Sequence, residues 1–256
     1  KGRPTKYVLE LIELLAMLKV HFKLTYRSLQ GFADSFLSKV LPEGKSPDYT
    51  LICKRMIQLG KCLPKLPSNR GAIVALDASG MKVYGEGEWK VKVHGRGRPR
   101  KWVKVHLAID VETQEIVAEV VTESKIGDSK MTGSLLDQIT ERPKRVLADG
   151  GYDRREARET IKKRKIEQVI PPPRNAKYRG NNSARDRAIA EIVGLGGDRS
   201  LWGKLTGYNM RVLAETMFSR LKRLFGERFF SKTIEKQRIE SRIRCYLINK
   251  MKVARA

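Results

Sequence analysis

Four polar residues on one predicted helix have types and a spacing that could do chemistry together: Tyr208, Arg211, Glu215 and Lys222. The helix covers residues 208–225, and Gly207 and Gly226 mark its ends. At about 100° per residue the four side chains fall within roughly 60° of one side, while the opposite side is apolar. One carboxylate therefore lies between two cations and a phenol. The alternative is a solvent-exposed face on which Arg211 and Glu215 form an ordinary i,i+4 ion pair.

Two further carboxylates follow short apolar strands. AIVALDASG predicts a strand that ends at Asp77, and RVLADGGYD predicts a buried strand that ends at Asp149. Taken singly, each aspartate fits a turn, but neighbouring strands would bring the two together, and the predicted helix could add Glu215. Three converging carboxylates need cations to neutralise them, and Mg²⁺ prefers such oxygen ligands. Two ions about 4 Å apart would activate a water or a 3′-hydroxyl on one side and stabilise the leaving oxygen on the other.

The order of elements after residue 70 indicates the fold class. Three strands are followed by helix, strand, helix, strand and helix, which predicts an α/β fold with a mixed sheet flanked by helices. EQVIPPP closes the sheet, and its prolines end the strand. Asp110, Asp128 and Asp153 are interpreted as caps or turn formers; Asp128 would cap a helix through residue 139, and Asp153 with Glu156 would begin a helix over residues 154–165. A further helix is predicted over residues 183–193.

Residues 1–70 predict a separate helical domain and linker, which precedes a catalytic domain over residues 71–256. Apolar residues recur at helical spacing within residues 8–18, 25–37 and 49–59, and a linker with two prolines follows at residues 61–70. Three short helices suit a helix-turn-helix whose last helix enters a major groove, with Lys54 and Arg55 on its outside. A small helical bundle used for dimerisation fits the same pattern equally well.

The charge of the chain narrows the class of partner. Its 256 residues include 53 Lys and Arg against 28 Asp and Glu, a formal charge of +25. This surplus implies a polyanionic partner, with nucleic acid as the first candidate and an anionic membrane surface as the second. No run of about 18 apolar residues exists, so we expect a soluble, intracellular protein with no membrane partner. Three cysteines without a CxxC pair and three histidines without zinc-ligand spacing predict reduced thiols and no structural zinc.

Two basic segments are candidates for DNA contacts away from the carboxylates. RGRPR carries Arg96, Arg98 and Arg100 at the tip of a predicted hairpin and is similar to the minor-groove core of an AT-hook; a solvated hairpin tip is the alternative.

A predicted helix over residues 235–253 carries several arginines. We expect it to pack on the sheet domain with its basic side towards DNA, or to form a dimer contact. Trp202 fits either a core aromatic or a wedge between bases.

The signature on the predicted helix resembles that of a known family. Its spacing matches the Y-R-E-K pattern of bacterial and archaeal insertion-sequence transposases. LDASG and LADGGYD resemble the two aspartate regions of the same DDE enzymes. AETMFSRLKRLFGERF looks most like the insertion sequence five group, within the insertion sequence four/five-type superfamily. GRPTKY and PDYTLICKRM also resemble the N-terminal domain of that group, so the likeness covers nearly the whole chain.

The resemblance implies an RNase H-like fold, with Asp77, Asp149 and Glu215 as catalytic metal ligands. The other three residues of the signature would lie near the scissile strand or the transposon-end DNA. The chain would bind the terminal inverted repeats of its element and catalyse strand cleavage and strand transfer with two Mg²⁺ ions, for which Mn²⁺ can substitute. It would act as a homodimer on double-stranded DNA, at transposon ends and target, in the cytoplasm at the nucleoid.

Other functions fit the same residues. An RNase H-like nuclease or resolvase would share the acids but form no strand-transfer product. A non-catalytic DNA-binding protein derived from a transposase would keep the basic surfaces and use the acids as caps. A covalent role for Tyr208 would require the Arg and His cluster of tyrosine recombinases, which three scattered histidines do not supply. The segment between Asp149 and Glu215 is short, so the large β-insertion of some relatives is predicted to be absent.

Overall fold

A computed structural model describes residues 7–40, 45–59, 66–67, 71–83 and 102–253. The chain divides into two compact units. The first comprises Lys1–Lys65, Lys82–Lys101 and Leu221–Ala256, and the second comprises Leu66–Met81 and Trp102–Arg220. The division into domains at residue 70 stays a prediction. Within the described residues no helix is long and apolar enough to cross a bilayer.

The second unit is built on a mixed sheet. In chain order its strands are β1 (Ile73–Val83), β2 (Trp102–Asp110), β3 (Ile116–Glu123), β4 (Arg145–Ala148) and β5 (Glu167–Val169). Their order across the sheet is β3-β2-β1-β4-β5, with β1, β4 and β5 parallel and β2 antiparallel to β3. Helices accompany this sheet, so the predicted α/β class with a mixed sheet is confirmed.

Helices of the second unit follow the strands and cover the sheet. They are α4 (Thr132–Leu136), α5 (Arg155–Lys163), α6 (Ala184–Gly194) and α7 (Arg199–Leu205). The central strands β1 and β4 are almost wholly apolar where they pair, as expected of parallel strands that are buried on both faces. Their side chains join α4 and α5 in one core, which includes Val74, Leu76, Val146, Ala148, Leu135, Tyr152 and Ile161. Residues 170–207 contain helices and no strand, as the short segment between the two predicted acids suggested.

Of the three aspartates interpreted as local caps, only Asp110 behaves as expected. Its carboxylate accepts hydrogen bonds from the N–H groups of Glu112 and Thr113, which forms a turn after β2. Asp128 caps no helix with its side chain and instead lies 3.0 Å from Lys104 Nζ. The cap position of α5 is Arg154, without a side-chain hydrogen bond, and Asp153 is paired with arginines. The capping interpretation of these two residues was wrong because long-range partners of opposite charge were available.

The first unit is helical. It contains α1 (Leu9–His21), α2 (Tyr26–Val40), α3 (Tyr49–Leu59) and α9 (Ile234–Val253), and the last two residues of β1 pair in parallel with β6 (Arg228–Phe229). The three N-terminal helices were predicted at these places, and a cluster that includes Leu15, Leu29 and Ile52 forms their core. A helix-turn-helix role and a dimerisation role are both compatible with this arrangement.

Helix α9 contacts α1 and α3, although the sequence led us to expect it on the sheet. Its Arg244 is also not available to DNA: it is 4% exposed and donates to the carbonyl of Arg228 and to Glu240 Oε1. Burial lowers the pKa of Arg244, and Glu240 opposes that shift. The reason is packing, since Arg244 and Glu240 form a buried ion pair against the segment around β6, and this side of the helix is not a solvated basic side.

Candidate active site

Asp77 and Asp149 are neighbours across two parallel strands. The pairing of β1 with β4 runs from Ile73↔Arg145 to Leu76↔Ala148; Asp77 is the next residue of β1, and Asp149 directly follows β4. Because successive residues of parallel strands advance together, both carboxylates reach the same place at the carboxyl edge of the pair. β1 continues to Val83 rather than ending at Asp77 as predicted, so the site lies where the two strands part.

Each aspartate is oriented by a backbone donor. Asp77 Oδ1 accepts from the N–H of Ala78 at 2.9 Å, and Asp149 Oδ1 accepts from the N–H of Gly151 at 2.9 Å. The second bond caps a short 3₁₀ turn, Gly150–Tyr152. The Asp77 side chain is 14% exposed, and burial raises its pKa; the Ala78 N–H and Arg211 lower it, while Asp149 and Glu215 raise it further. The carboxylates therefore repel one another in a partly desolvated place.

The predicted helix begins differently from a simple α-helix. Tyr208–Arg211 forms a 3₁₀ turn, and α8 covers Val212–Phe225. The turn follows Gly207, whose φ of 72° lies in the left-handed region that glycine favours. The turn packs on β4, and Arg145 Nη1 donates to the carbonyl of Thr206 at 3.3 Å. This packing turns the start of the helix towards the strand that carries Asp149.

Tyr208 is held by an aromatic neighbour. Its ring centroid lies 5.6 Å from that of Trp202, which is 2% exposed and donates from Nε1 to Glu191 Oε2 at 2.8 Å. Burial raises the pKa of Tyr208, Arg211 lowers it, and Asp149 and Glu215 raise it, so all three charges act on the phenol. Trp202 is thus a core aromatic that supports the site. The polar residues around it in the sequence concealed this role, and its indole partner, Glu191, lies one helix earlier.

Arg211 lies between two of the predicted catalytic acids. Its Nη2 is 2.5 Å from Glu215 Oε1, and its Nη1 is 3.9 Å from Asp77 Oδ2. The guanidinium carbon is 5.7 Å from the centroid of the Tyr208 ring. Burial opposes the charge of Arg211, but Glu215 and Tyr208 outweigh it and raise the pKa of Arg211. The ion pair offered as the ordinary alternative does form, yet it also reaches Asp77, which is 134 residues away in the chain.

The three carboxylates are the type of ligand that a hard divalent cation prefers, but their side chains are too far apart to bind one ion together. Among the described residues no three His, Cys, Asp or Glu side chains lie close enough to hold one metal ion. Glu215, with a side chain 52% exposed, faces Arg211 instead of the two aspartates. Asp149 and Glu215 nevertheless both act electrostatically on Asp77, and acids of this kind are the ligands that Mg²⁺ takes. Their fit to a metal requires Glu215 to leave Arg211.

The remaining predicted contacts are placed as follows. Lys222 is half-buried in the part of α8 that belongs to the first unit. In α3, Lys54 is exposed, whereas Arg55 is only partly exposed and donates to the carbonyl of Tyr7 at 2.6 Å, so it is not simply on the outside. The hairpin-tip arginines 96, 98 and 100 lie outside the described residues. DNA contacts by these side chains stay predictions.

Family comparison agrees with this geometry. The chain belongs to the family of transposase DDE domains: a family model with that description matches residues 68–250, and a second model with the same description matches residues 1–86. Members of this class catalyse DNA cleavage and strand transfer and use divalent metal ions. The particular group within the class, the insertion sequence five group, stays a prediction.

Two solved structures resemble the chain more distantly. One is a piggyBac transposase synaptic complex with hairpin DNA, at 9% identity and a TM-score of 0.43, over 96% of this chain and 65% of that one. The other is a simian T-cell lymphotropic virus intasome in complex with a PP2A regulatory subunit, at 15% identity and a TM-score of 0.29, over 71% of this chain and 59% of that one. The chain thus spans less than two thirds of each. At these TM-scores neither likeness adds to the family match.

Proposed function

We propose that this chain is an insertion-sequence transposase whose Asp77, Asp149 and Glu215 hold Mg²⁺, as two ions, and cut and rejoin DNA at the terminal inverted repeats of its element. One observation carries the proposal: the register that ends at Leu76↔Ala148 leaves Asp77 and Asp149 side by side. Glu215 is already coupled to Asp77 through Arg211. Membership in the family of transposase DDE domains supports the same assignment.

The residues of the chain have separate tasks in this proposal. Bound metal would activate the attacking water or 3′-hydroxyl and stabilise the leaving oxygen. Asp77 and Asp149, each oriented by a backbone N–H, provide ligands on rigid strands, and Glu215 completes the set from α8. Arg211, released from Glu215, is free to neutralise a phosphate, as is Lys222. Tyr208 positions the DNA backbone from its support on Trp202.

A covalent route through Tyr208 is disfavoured. A phenol whose pKa is raised, chiefly by burial, stays protonated at neutral pH and is a poor nucleophile. Direct transfer between phosphate oxygens needs no covalent enzyme intermediate. We further propose that the protein works as a homodimer that bridges two transposon ends, on DNA at the nucleoid.

The test is DNA cleavage by purified protein, with duplexes taken from both flanks of its own gene, because the ends of an insertion sequence lie there. We expect Mg²⁺- or Mn²⁺-dependent nicking and strand-transfer products. Asp149→Ala should reduce the cleavage rate on the order of 1,000-fold, because several kcal/mol of charge stabilisation would be lost. Glu141→Ala, which removes an exposed carboxylate away from the site, is the matched control and should cut normally.

Other outcomes would separate the competing functions. Cleavage without strand-transfer products would favour an RNase H-like nuclease or resolvase. DNA binding without cleavage, and without a metal site that depends on Glu215, would favour a non-catalytic derivative. Undiminished cutting by Asp149→Ala would overturn the site assignment.

A further inference from the structure

A cleft of about 830 Å³ lies along the edge strand β5, away from the three carboxylates. Its walls are α5, β5 and the loop that leads into α6, all within the second unit. Eight arginines and lysines line it against four acidic residues. Asp153 is one of its lining residues, and in the chain only the 3₁₀ turn Gly150–Tyr152 separates that residue from Asp149.

One buried acid, Asp153, forms ion pairs with two arginines of the cleft lining. The Asp153 side chain is 1% exposed and pairs with two arginines, Arg158 Nε at 2.5 Å and Arg185 Nε at 2.9 Å. Arg158 also donates to the carbonyl of Ile170 at 3.0 Å, which ties α5 to the residue after β5. A single carboxylate thus links α5 and α6, and the two arginines neutralise its negative charge.

A second buried acid shapes the loop at the rim. Asp186 is 1% exposed and accepts from the N–H groups of Arg179 at 3.2 Å and Asn181 at 3.0 Å. Ser183 caps α6 by accepting from the N–H of Asp186 at 3.1 Å. The negative charge of Asp186 is therefore directed to backbone N–H groups, and the loop is fixed with its side chains around the cleft.

Several cations of the cleft lining have no carboxylate partner after these ion pairs are formed. Of the other acids in the lining, Glu159 pairs with Arg155 at 2.6 Å and Glu167 with Arg145 at 3.0 Å. Five exposed cations of the lining form no ion pair with any residue that the structure describes: Arg154, Lys162, Lys165, Arg179 and Arg187. Like charges this close repel one another, so a polyanion that enters the cleft would relieve the repulsion.

We propose that this cleft binds the phosphate backbone of DNA, as a second contact surface beyond the catalytic carboxylates. The inference rests on the proposed function, since it supposes that DNA occupies the neighbouring catalytic edge. The lining residue Asp153 follows Asp149 by four positions in the chain, so one end of the cleft is near the catalytic edge. The side-chain amide nitrogen of Asn181 and the hydroxyl of Ser183, both in the lining, supply further donors for phosphate oxygens.

A protein partner suits the cleft less well. Among the lining residues only Ile166 and Ala184 are apolar, whereas the centre of a protein interface is apolar and depleted in charge. Phosphate contacts to exposed lysines and arginines need no such centre, because release of counterions from DNA drives the binding. The chemistry of the lining therefore selects a nucleic-acid backbone without sequence readout.

The test compares two double variants that remove the same charges. Lys162→Gln/Arg187→Gln removes two positive charges from the exposed lining of the cleft. Lys144→Gln/Arg142→Gln, the control, removes the charges of one exposed lysine and one exposed arginine that precede β4 and lie outside the cleft. Binding of a fluorescein-labelled duplex of arbitrary sequence is followed by anisotropy over a series of salt concentrations, with EDTA present to prevent cleavage. The slope of log K against log salt counts the phosphate contacts.

We expect the cleft variant to lose about 2 from that slope and to bind on the order of tenfold more weakly, with the control close to the wild type. Equal losses in both variants would show an effect of net charge alone and would overturn the proposed DNA contact in the cleft. In that case, cleavage of DNA by the wild type would still support the proposed function. Failure of the wild type to bind DNA at all would overturn both. A change of oligomeric state confined to the cleft variant, seen by sedimentation, would identify a protein interface and likewise overturn the proposal.

Discussion

Two groups of arginine and carboxylate in the second unit have opposite compositions. At the catalytic edge one arginine, Arg211, lies between Asp77 and Glu215, with Asp149 beside them. In the cleft one carboxylate, Asp153, lies between Arg158 and Arg185. Acid is in excess in the first group and base in the second.

The two groups also differ in burial. The Asp153 side chain is 1% exposed, whereas that of Glu215 is 52% exposed. A buried, fully paired acid has neighbours on every side and cannot move without cost. An exposed acid that shares one arginine with other acids can change partner. The first group is therefore arranged to accept another cation, whereas the second stabilises the fold and leaves its surplus of cations available to an anion.

The largest expected effect concerns the buried group. Asp153→Asn should lower the free energy of unfolding by about 3–5 kcal/mol, because Arg158 and Arg185 would keep their charges without a counterion. Chemical denaturation followed by circular dichroism measures this loss. Asp149→Asn is the matched control: it removes an acid four residues earlier that is only partly buried, and should change stability by less than about 0.5 kcal/mol. Equal losses in the two variants would erase the distinction between the groups.

His106 shows how burial changes the pKa of an ionisable group that has no strong ion pair. His106 is fully buried, with Nε2 2.9 Å from Thr122 Oγ1 and Nδ1 3.6 Å from Asp128 Oδ1. Burial lowers the pKa of His106 to about 4, against the opposing effect of Asp128 and with a small contribution from Lys104. Between pH 6.5 and 4 the unfolded chain therefore binds the proton more readily than the folded one, and stability falls as the pH falls.

The expected loss from His106 across that range is about 3 kcal/mol. His106→Gln removes the titration, so the difference in unfolding free energy between wild type and variant should shrink or reverse as the pH is lowered from 6.5 to 4. Unfolding curves at several pH values supply the measurement. If both proteins lost stability in parallel, burial would not hold the imidazole neutral, and the negative charge of Asp128 would be sufficient to stabilise the imidazolium.

The smallest effect concerns the catalytic edge. Arg211→Gln should bind Mn²⁺ about tenfold more tightly than the wild type, because the substitution removes a positive charge next to the carboxylates and frees Glu215. Titration calorimetry on the protein without DNA reads the affinity independently of activity. Arg211→Lys keeps the charge but not the planar, two-sided contact, and should fall between the two. Weaker binding by Arg211→Gln would show that Arg211 orders the acids for the metal instead of competing with it.

The sequence alone determined the local elements of this protein and the chemical character of its site. The glycines at 207 and 226, with φ of 72° and 84°, end the helical segment where predicted, and α6 covers Ala184–Gly194 where a helix over residues 183–193 was predicted. Turn and cap residues act over a few positions, so their spacing can be read directly. The apolar runs before Asp77 and Asp149 likewise identified two buried strands, and the family resemblance named the acids at their ends.

The partners of those residues follow from the tertiary fold. Asp153 looked like a helix cap but pairs with Arg185, 32 positions away, and Arg211 reaches Asp77 as well as its helical neighbour. Helix α9 lies against α1 and α3, and the cleft beside β5 has no contiguous motif in the sequence. The physical reason is that such contacts depend on strand register and on the packing of distant segments, where a buried charge takes whichever opposite charge the fold brings within reach.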